Sequence, residues 1–228
     1  MQPGYALLEA VDITDRETPS CLLNLYEGEL LHRYARICTG ITREDCPAFR
    51  GMFLERGTLV AAFDRSRGVA IDSLFYRGDS WKWEERMDCA ELLLNKALSL
   101  ANLPPEVGCA ALFSDNLLFD PDNRKLEIRW MLRPLEEMNP RETALLAADQ
   151  VKKILRPSPA AGPEEQQFLN ELEAAAFPNV VALYGRWREA EKAMRKERED
   201  FRRKSVVKKA FYILGRMVKR KMGRGGSR

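Results

Sequence analysis

The residues that come nearest to a chemical site lie in one short run, Ser114-Asp-Asn-Leu-Leu-Phe-Asp120. Carboxylate and amide oxygens are ligands for hard cations, so Asn116 is a candidate metal or phosphate contact, and Asp115, Asp120 and Asp122 form an acidic cluster of the kind that binds calcium or magnesium. The alternative is that Asn116 is a turn residue whose amide bonds the local backbone. The run lacks the Gly and the terminal Glu of an EF-hand loop. We therefore favour turn residues and predict no metal site.

Other residue types that do chemistry are sparse. His32 is the single histidine, and the five cysteines form no CxxC, so a zinc site of the usual ligand composition lacks material. His32 has no Ser/Asp or Cys/Asp partner in a recognisable arrangement, and we interpret it as a packing or surface residue. The odd, scattered cysteines fit a reducing cytoplasm better than a disulfide framework. The sequence predicts no catalytic residue, no metal and no cofactor.

The 228 residues, 45% hydrophobic and 31% charged, suit one globular domain with or without a helical appendage. Apolar stretches of about five residues fall far short of the roughly 18 needed to cross a bilayer, so we predict no spanning helix and no secretory signal. The charge is divided unevenly. Residues 186–228 hold 17 Lys+Arg against 5 Asp+Glu, while the remainder holds 20 against 29. A mildly acidic body with a strongly basic tail indicates a tail that meets a polyanion, a membrane surface or an acidic partner.

The elements that must position these residues follow from hydrophobic periodicity and turn signals. Two strands, at 5–11 and 20–26, precede a short helix that begins at Glu29 and is ended by Gly40. A second strand pair, at 48–54 and 58–63, ends at a polar crossing near Asp64. The rest is mainly helical, with the following predicted elements: a long helix at 84–100, a small hairpin at 117–120 and 126–131, and helices at 141–155 and 164–177.

This order resembles the protein kinase fold with a reduced small lobe. The resemblance implies an α+β fold of two lobes: a small antiparallel-sheet lobe with one helix at 1–63 and a helical large lobe at 64–185. Residues 186–228 are predicted to form a charged, basic C-terminal helix with a disordered tip. Its most specific local match is the run from Cys109 to Asp120, which stands where kinases have the HRDLKPEN-type catalytic loop. In kinases the metal-binding Asp of the DFG motif often lies 13 residues after the catalytic-loop Asn, and that position is Arg129.

The kinase chemistry is missing at several positions together. Cys109, Ala110 and Ala111 occupy the His-Arg-Asp positions, and Arg129-Trp130-Met131 occupies the DFG place. The first lysine of the chain is Lys82, and no G-x-G-x-x-G lies in the first 63 residues, so the small lobe supplies neither the phosphate-anchoring lysine nor the glycine-rich loop. We interpret the chain as a pseudokinase without phosphotransfer. The alternative from another class is a divergent kinase-fold enzyme that binds nucleotide in an altered pose.

The C-terminal segment has the pattern of a basic amphipathic helix. Between Val206 and Met222 apolar residues recur at spacings of three and four, with basic residues largely elsewhere on the wheel. The residues predicted to bind a membrane or a partner are Lys208, Lys209, Phe211, Leu214, Arg216, Val218, Lys219 and Arg220. An anionic membrane surface or a groove on a protein partner are both compatible with this pattern. Binding to nucleic acid is the weaker interpretation, because few aromatic residues are interleaved for stacking on bases. The alternative without a binding function is a helix that folds back on its own body.

The reduced small lobe, the missing catalytic residues and the tail placed directly after the last helices resemble the cytosolic half of the EssB/YukC family. Those proteins are membrane-anchored pseudokinase components of type VII secretion. The resemblance implies a cytoplasmic scaffold at the inner face of a membrane, with a membrane protein complex as its partner. The predicted function is a non-catalytic interaction domain recruited by its basic helix, and a nucleic-acid-associated adaptor is the third alternative.

Overall fold

The computed structural model describes residues 3–11, 20–76, 78–156 and 161–203. The first part of the chain forms a small lobe with one four-stranded antiparallel sheet in the order β1-β2-β4-β3 and one helix. Its elements are β1 (Tyr5–Ala10), β2 (Cys21–Tyr26), α1 (Glu29–Thr39), β3 (Phe49–Glu55) and β4 (Thr58–Asp64). The helix enters the sequence between two strand pairs, and β2 and β4 meet in the middle of the sheet.

Alternation along the strands decides which side chains face α1 and the rest of the molecule. Residues opposite each other in an antiparallel pair point to the same face. Leu22, Asn24 and Tyr26 of β2 lie opposite Phe63, Ala61 and Leu59 of β4, and all six are buried. Helix α1 covers this inner face, where the Tyr34 ring stacks on Tyr26 with 4.1 Å between ring centroids.

The large lobe begins after β4 and consists mainly of helices, with a second antiparallel sheet in the order β5-β6-β7. Its elements are β5 (Val69–Ala70), α2 (Ile71–Leu74), α3 (Trp83–Leu100), α4 (Pro105–Ala111), β6 (Leu117–Asp120), β7 (Lys125–Ile128), α5 (Pro140–Leu155), α6 (Pro163–Glu173) and α7 (Val180–Arg203). Gly68 must remain a glycine, because φ is +138° and a Cβ would lie 3.0 Å from the Phe119 carbonyl oxygen. This close approach starts the short pairing of β5 with β6.

Helix α3 is the centre of the large lobe. Most of its apolar side chains are buried, and Leu93, Leu94 and Ala97 are fully so, while Leu92 and Leu98 are half-buried. It packs against α5 and α7, and α5 begins with a capping box in which Asn139 accepts from the Arg141 amide at 2.9 Å. The buried apolar residues of both lobes form one continuous cluster, so the two lobes share a core.

The predicted fold class, a reduced two-lobed α+β arrangement with a helical large lobe, is confirmed, and the strand pairs and long helix lie where the patterns predicted them. Several features differ. The second hairpin strand, predicted at 126–131, ends at Ile128, and the helix predicted at 164–177 ends at Glu173. Residues 105–111 form helix α4, which the sequence did not predict. The C-terminal helix was predicted to start at residue 186, but α7 already starts at Val180 and continues through that position. Its Trp187, Ala190 and Met194 are buried in the core.

Candidate functional site

The segment 129–135, which follows β7, lies between the two lobes and is held by buried side chains from both. We call this segment and the side chains that hold it the seam. Its position follows from the hairpin β6-β7, which ends at Ile128 and directs the chain toward the inner face of the small sheet. The seam includes the three residues predicted to replace the DFG motif, Arg129, Trp130 and Met131. The geometry of the seam therefore decides whether the space between the lobes has groups that could bind a nucleotide or a metal.

From the small lobe, Asn24 of β2 binds the seam backbone on both sides of Met131. Its Nδ2 donates to the Trp130 carbonyl oxygen at 2.8 Å, and its Oδ1 accepts from the Leu132 amide at 2.8 Å. The same Oδ1 accepts from the Tyr5 hydroxyl at 2.9 Å. Asn24 is fully buried, so the amide is committed to these three bonds and turns no polar atom toward a ligand.

Two tyrosines extend this contact toward the C-terminal end of the seam. The Tyr26 hydroxyl donates to the Leu132 carbonyl oxygen at 2.8 Å. The Tyr34 hydroxyl donates to the Arg133 carbonyl oxygen at 3.2 Å and accepts from the Leu135 amide at 3.0 Å. Strand β2 and helix α1 thus both hydrogen-bond to a segment about a hundred residues later in the chain, which joins the lobes.

From the large lobe, Asn116 binds the other side of the same segment. Its Nδ2 donates to the carbonyl oxygens of Ala110 at 2.6 Å and Met131 at 3.0 Å, and its Oδ1 accepts from the Met131 amide at 3.2 Å. Its own carbonyl oxygen accepts from the Arg129 amide at 2.7 Å. Both amide hydrogens of Asn116 are used in backbone bonds. Of the two roles considered from sequence, the geometry matches the turn residue.

Aromatic stacking fills the space beside these bonds. The Trp130 ring stacks on Phe63 of β4, with 5.5 Å between centroids and an angle of 15° between planes. Trp130 and Met131 are each 7% exposed. Side chains of this size, packed at interior density, leave the inner face of the small sheet covered at this point.

The segment 129–135 contains two cations, the half-buried Arg129 and the exposed Arg133, but the side chains that hold its backbone carry no charge at neutral pH. The side chains that bond its backbone are two amides and two phenols, with Tyr5 behind them. Burial raises the pKa of the Tyr5, Tyr26 and Tyr34 hydroxyls. A nucleotide triphosphate brings several negative charges, and amides or phenols do not neutralise them. At the margin of the seam Arg133 pairs with Asp115 at 2.5 Å, and this pair is half exposed.

The positions predicted to replace His-Arg-Asp lie in α4 rather than in a loop. Cys109, Ala110 and Ala111 are buried, and the Cys109 sulfur lies 3.4 Å from the Thr143 hydroxyl oxygen. Burial raises the pKa of the Cys109 thiol. Small side chains at these positions permit α4 to pack closely against α5, and the helix turns them toward the core of the large lobe.

The acidic residues near Asn116 serve local turns and ion pairs. Asp120 accepts from the Asp122 amide at 3.0 Å and from the Asn123 amide at 3.1 Å and side chain at 2.8 Å. The bond from the Asn123 side chain lowers the pKa of Asp120. Arg129 is half-buried. Within the described residues, no three His, Cys, Asp or Glu side chains are grouped to hold a metal ion.

The described part of the C-terminal region directs much of its charge toward α3. Arg188, Arg195 and Arg202 recur every seven residues along α7 and pair with successive acidic residues of the antiparallel helix α3. The pairs are Arg188–Glu91 at 2.8 Å, Arg195–Asp88 at 3.0 Å and Arg202–Glu84. We call these three pairs the arginine ladder. Residues 204–228, by contrast, hold nine Lys+Arg and no Asp or Glu. The basic charge of this segment therefore has no acidic residue nearby in sequence.

The predicted membrane or partner residues all fall outside the described residues. They are Lys208, Lys209, Phe211, Leu214, Arg216, Val218, Lys219 and Arg220. In the part of the chain that the structure describes, no helix combines the length and apolar character needed to cross a membrane.

Sequence reasoning missed Asn24, Tyr26 and Tyr34, which make most of the small-lobe contacts to the seam. One signal was available. In the strand Cys21–Tyr26, Asn24 is the single strongly polar residue in an otherwise apolar or aromatic run, and a buried amide needs partners. The partners themselves, 106 and 108 residues away, could not be identified without the fold.

Comparison with known proteins gives the fold a neighbour but no family. No protein-family model matches the chain, and no curated protein matches it. Among solved structures, the chain is similar to a double mutant of the kinase domain of Mycobacterium tuberculosis PknI, with 13% sequence identity and a TM-score of 0.49, over 86% of this chain and 96% of that chain. A likeness of this degree carries no functional argument, so the interpretation of the site rests on the geometry of the seam.

Proposed function

We propose that the chain is a pseudokinase-like scaffold in which the seam closes the cleft that a kinase uses for nucleotide. The observation that carries this proposal is the double grip on the segment 130–132 by Asn24 of the small lobe and Asn116 of the large lobe. Each amide makes three hydrogen bonds, and neither is left to contact a phosphate or a metal. The molecule then acts as a rigid platform whose surfaces bind other molecules.

The position of Asn24 supports the proposal. In protein kinases the strand before the small-lobe helix carries the lysine that holds the nucleotide phosphates. Strand β2 precedes α1, and its inward polar side chain is Asn24. An asparagine has no charge to offer a phosphate, and this one is engaged with Trp130 and Leu132. The change is thus more than the loss of a lysine, because the replacing residue ties the lobes together.

Thermal unfolding with and without millimolar ATP and magnesium tests this proposal. A ligand that binds only the folded state adds about 2.7 kcal/mol at a hundred times its dissociation constant, which raises the Tm of a domain of this size by several degrees. We expect no shift. The matched control is inorganic tripolyphosphate, because the basic C-terminal segment attracts any polyanion.

The outcomes separate cleanly. An equal, small rise in Tm with ATP and with tripolyphosphate would show that polyanions bind the basic C-terminal segment. It would be consistent with a closed cleft. A magnesium-dependent shift with ATP that tripolyphosphate does not reproduce would overturn the proposal and make the divergent nucleotide-binding enzyme the better interpretation.

The second part of the proposal is recruitment through the basic segment 206–222, to an anionic membrane surface or to a protein. The resemblance to EssB/YukC proteins favours a membrane protein complex at the inner face of a membrane. Flotation with vesicles containing anionic lipid tests the membrane alternative, with Phe211→Glu and Leu214→Glu on the apolar stripe. Tyr212→Glu is the matched control, because it makes the same charge change about 100° around the helix from Phe211.

We expect Phe211→Glu and Leu214→Glu to abolish flotation and Tyr212→Glu to weaken it only slightly. If wild type neither floats nor binds nucleic acid, a groove on a protein partner remains. Binding to nucleic acid that weakens steeply with salt, without any lipid preference, would instead favour the adaptor alternative.

A further inference from the structure

A groove lies between helix α3 and the hairpin β6-β7. It encloses about 200 Å³, and its lining residues, which we call the α3 groove, are Trp81, Glu85, Asp88, Cys89, Leu92, Phe119, Pro121 and Arg124. Glu85, Asp88 and Leu92 are spaced by three and four, so they follow one line along the helix surface. The groove therefore runs from the first turn of α3 to its middle.

The floor of the α3 groove is apolar. The Trp81 ring meets the Phe119 ring edge-on, with 5.5 Å between centroids. Phe119 and Cys89 are buried, whereas Trp81 and Leu92 are half-buried. Trp81 and Leu92 thus keep apolar surface in contact with water, and an apolar side chain in the groove would cover it.

The rim of the α3 groove is mainly acidic. Four carboxylates lie there, two on α3 and two beside Pro121 in the turn between β6 and β7. They are Glu85, Asp88, Asp120 and Asp122. Asp88 also pairs with Arg195, but its side chain is still 51% exposed, and one of the lining residues, Arg124, is a cation. The groove thus favours an occupant that is apolar on one side and basic beside it.

Helix α7 ends at Arg203, next to this groove. Arg202 pairs with Glu84 in the first turn of α3, and the following residue, Glu85, lines the groove. Asp88 belongs both to the arginine ladder and to the groove. Residues 204–228 therefore leave the described part of the chain within about one helical turn of the near end of the groove.

The next residues have the reach and the length to occupy the groove. Packed helices lie about 8 to 10 Å apart, and the three steps from Arg203 to Val206 reach about 10 Å, so the chain can turn back along α3. A helix from Val206 to Phe211 rises about 8 Å, against about 10 Å from Glu85 to Leu92. Phe211 then comes to the level of the apolar floor.

We propose that the α3 groove binds residues 206–214 of its own chain. Phe211 covers the floor beside Leu92, and Lys208 and Lys209 lie among the carboxylates of the rim. Tethering decides between copies of the chain. A segment joined by about three residues has an effective concentration in the millimolar range, so it outcompetes the same segment of a second molecule at micromolar concentration.

This contact regulates the recruitment proposed above, and it rests on the proposed function only in that respect. Phe211 and Leu214 are the residues on which membrane binding is expected to depend, and the docked segment covers them. The basic residues from Arg216 onward lie beyond the groove and still attract an anionic surface. The groove and the membrane therefore compete for one apolar stripe.

Hydrogen exchange of the full chain at micromolar concentration, read by mass spectrometry on peptides covering 206–214, tests the proposal. Leu92→Lys places a cation in the groove. Leu146→Lys is the matched control, because Leu146 is also a half-buried leucine but lies on α5 and outside the groove. We expect exchange in 206–214 to be about tenfold faster in Leu92→Lys than in wild type or Leu146→Lys.

A second pair of variants changes only exposed positions and so does not endanger the fold. Asp122→Lys reverses a charge on the rim of the groove, and Glu137→Lys reverses one on another surface; both residues are exposed. We expect exchange in 206–214 to rise about threefold in Asp122→Lys and to stay unchanged in Glu137→Lys. Thermal unfolding checks that all four variants fold, and if Leu92→Lys does not, the second pair decides.

Two results would overturn the proposal. One is equal exchange in 206–214 for the two members of a folded pair. The other is protection that appears only as the protein concentration rises, because the segment would then occupy the groove of a second copy.

Flotation with vesicles containing anionic lipid separates this inference from the proposed function. We expect Leu92→Lys to float at severalfold lower lipid concentration than Leu146→Lys, which carries the same added charge, because its stripe no longer has to leave the groove. Equal flotation of the two variants would overturn the competition. Exchange that depends on the groove, without flotation of any variant, would support the docked segment and overturn only recruitment to a membrane.

Discussion

Two regions hold this molecule together by opposite means. The seam joins the lobes with buried, neutral hydrogen bonds from Asn24 and Asn116, and aromatic stacking surrounds them. The arginine ladder joins α7 to α3 with charged pairs whose side chains are between 29% and 63% exposed. Both connect segments about a hundred residues apart in sequence.

The difference concerns what happens when one partner is removed. A buried polar group that loses its hydrogen-bond partner stays desolvated, so the folded state loses the full solvation energy of that group. An exposed charge that loses its partner is solvated by water instead, and the loss is small. The seam should therefore be intolerant of single changes and the ladder tolerant. The seam is the place where the sequence specifies one arrangement of the lobes, and the ladder mainly fixes the direction of α7.

The largest effect is expected for Asn24→Ala. The change leaves the Trp130 carbonyl and the Leu132 amide unpaired in the core and removes the acceptor of the Tyr5 hydroxyl. At about 1 to 3 kcal/mol for each buried group, we expect a loss of about 3 to 5 kcal/mol in the free energy of unfolding, measured by urea denaturation. Asn95→Ala, at an exposed position of α3, is the control and should change stability by less than about 0.5 kcal/mol.

A loss below about 1 kcal/mol for Asn24→Ala would contradict the comparison. It would mean that water enters the seam and replaces the amide, and the cleft would then be open enough to reconsider a ligand.

Alkaline pH should weaken the seam next. Burial raises the pKa of Tyr26 and Tyr34 above the ordinary value of 10, so in the folded state these phenols keep their protons after the unfolded chain has lost them. The contribution of these two phenols to stability is therefore fully present below pH 10 and falls as pH rises toward the folded-state pKa, by up to about 1.4 kcal/mol per pH unit for each group. Burial also raises the pKa of Cys38 and Cys89 to about 12, which adds a loss from about pH 9 upward.

Urea midpoints at pH 8, 9, 10 and 11 measure this trend. The Tyr26→Phe variant should show a shallower decline above pH 10, because one titrating group is gone. An identical decline in the variant would assign the alkaline loss to other groups.

Tyr26→Phe at neutral pH should have a smaller effect. The ring remains stacked on Tyr34, and only the hydrogen bond to the Leu132 carbonyl is lost. We expect a loss of about 1 to 2 kcal/mol, seen as a drop of a few degrees in Tm. Tyr76→Phe is the control, because Tyr76 is 55% exposed and its hydroxyl reaches water. Equal effects at the two positions would argue that the Tyr26 bond adds nothing beyond its ring.

Periodicity predicted the parts of this fold that have a clear polar and apolar side. The strand pairs and α3 were predicted because their apolar positions recur at two or at three and four. Helix α4 was missed because Val107 to Ala111 is apolar or small throughout, and a helix buried on all sides shows no stripe. In α7, dense charge concealed the apolar line of Leu183, Trp187 and Met194.

The seam was predictable only in part. The spacing that places Cys109 and Arg129 at kinase motif positions, and with it the predicted lack of kinase chemistry there, can be read from the sequence alone. The hydrogen bonds of Asn24 and Asn116 to the segment 130–132 could not be predicted from the sequence. The Asn24 bonds depend on the strand register that turns Asn24 inward and on contacts across more than a hundred residues. Local sequence patterns predict which face of a helix or strand is buried. They do not predict which backbone groups, distant in sequence, will bind a polar side chain on that face.

The smallest effect is expected for the arginine ladder. Arg195, whose side chain is 39% exposed, pairs with the half-exposed Asp88 at 3.0 Å and with the buried Glu191 at 2.8 Å. In Arg195→Ala, Glu191 keeps a second cation, because Arg188 lies 3.7 Å from it. Arg195→Ala should cost less than about 1 kcal/mol at low salt and less still at high salt, since exposed pairs are screened. Lys196→Ala, at the exposed next residue of the same helix, is the control. If Arg195→Ala cost as much as Asn24→Ala and salt did not reduce the loss, the ladder would behave as a buried network. Helix α7 would then be as integral to the lobe as the seam, and the comparison between the two regions would fail.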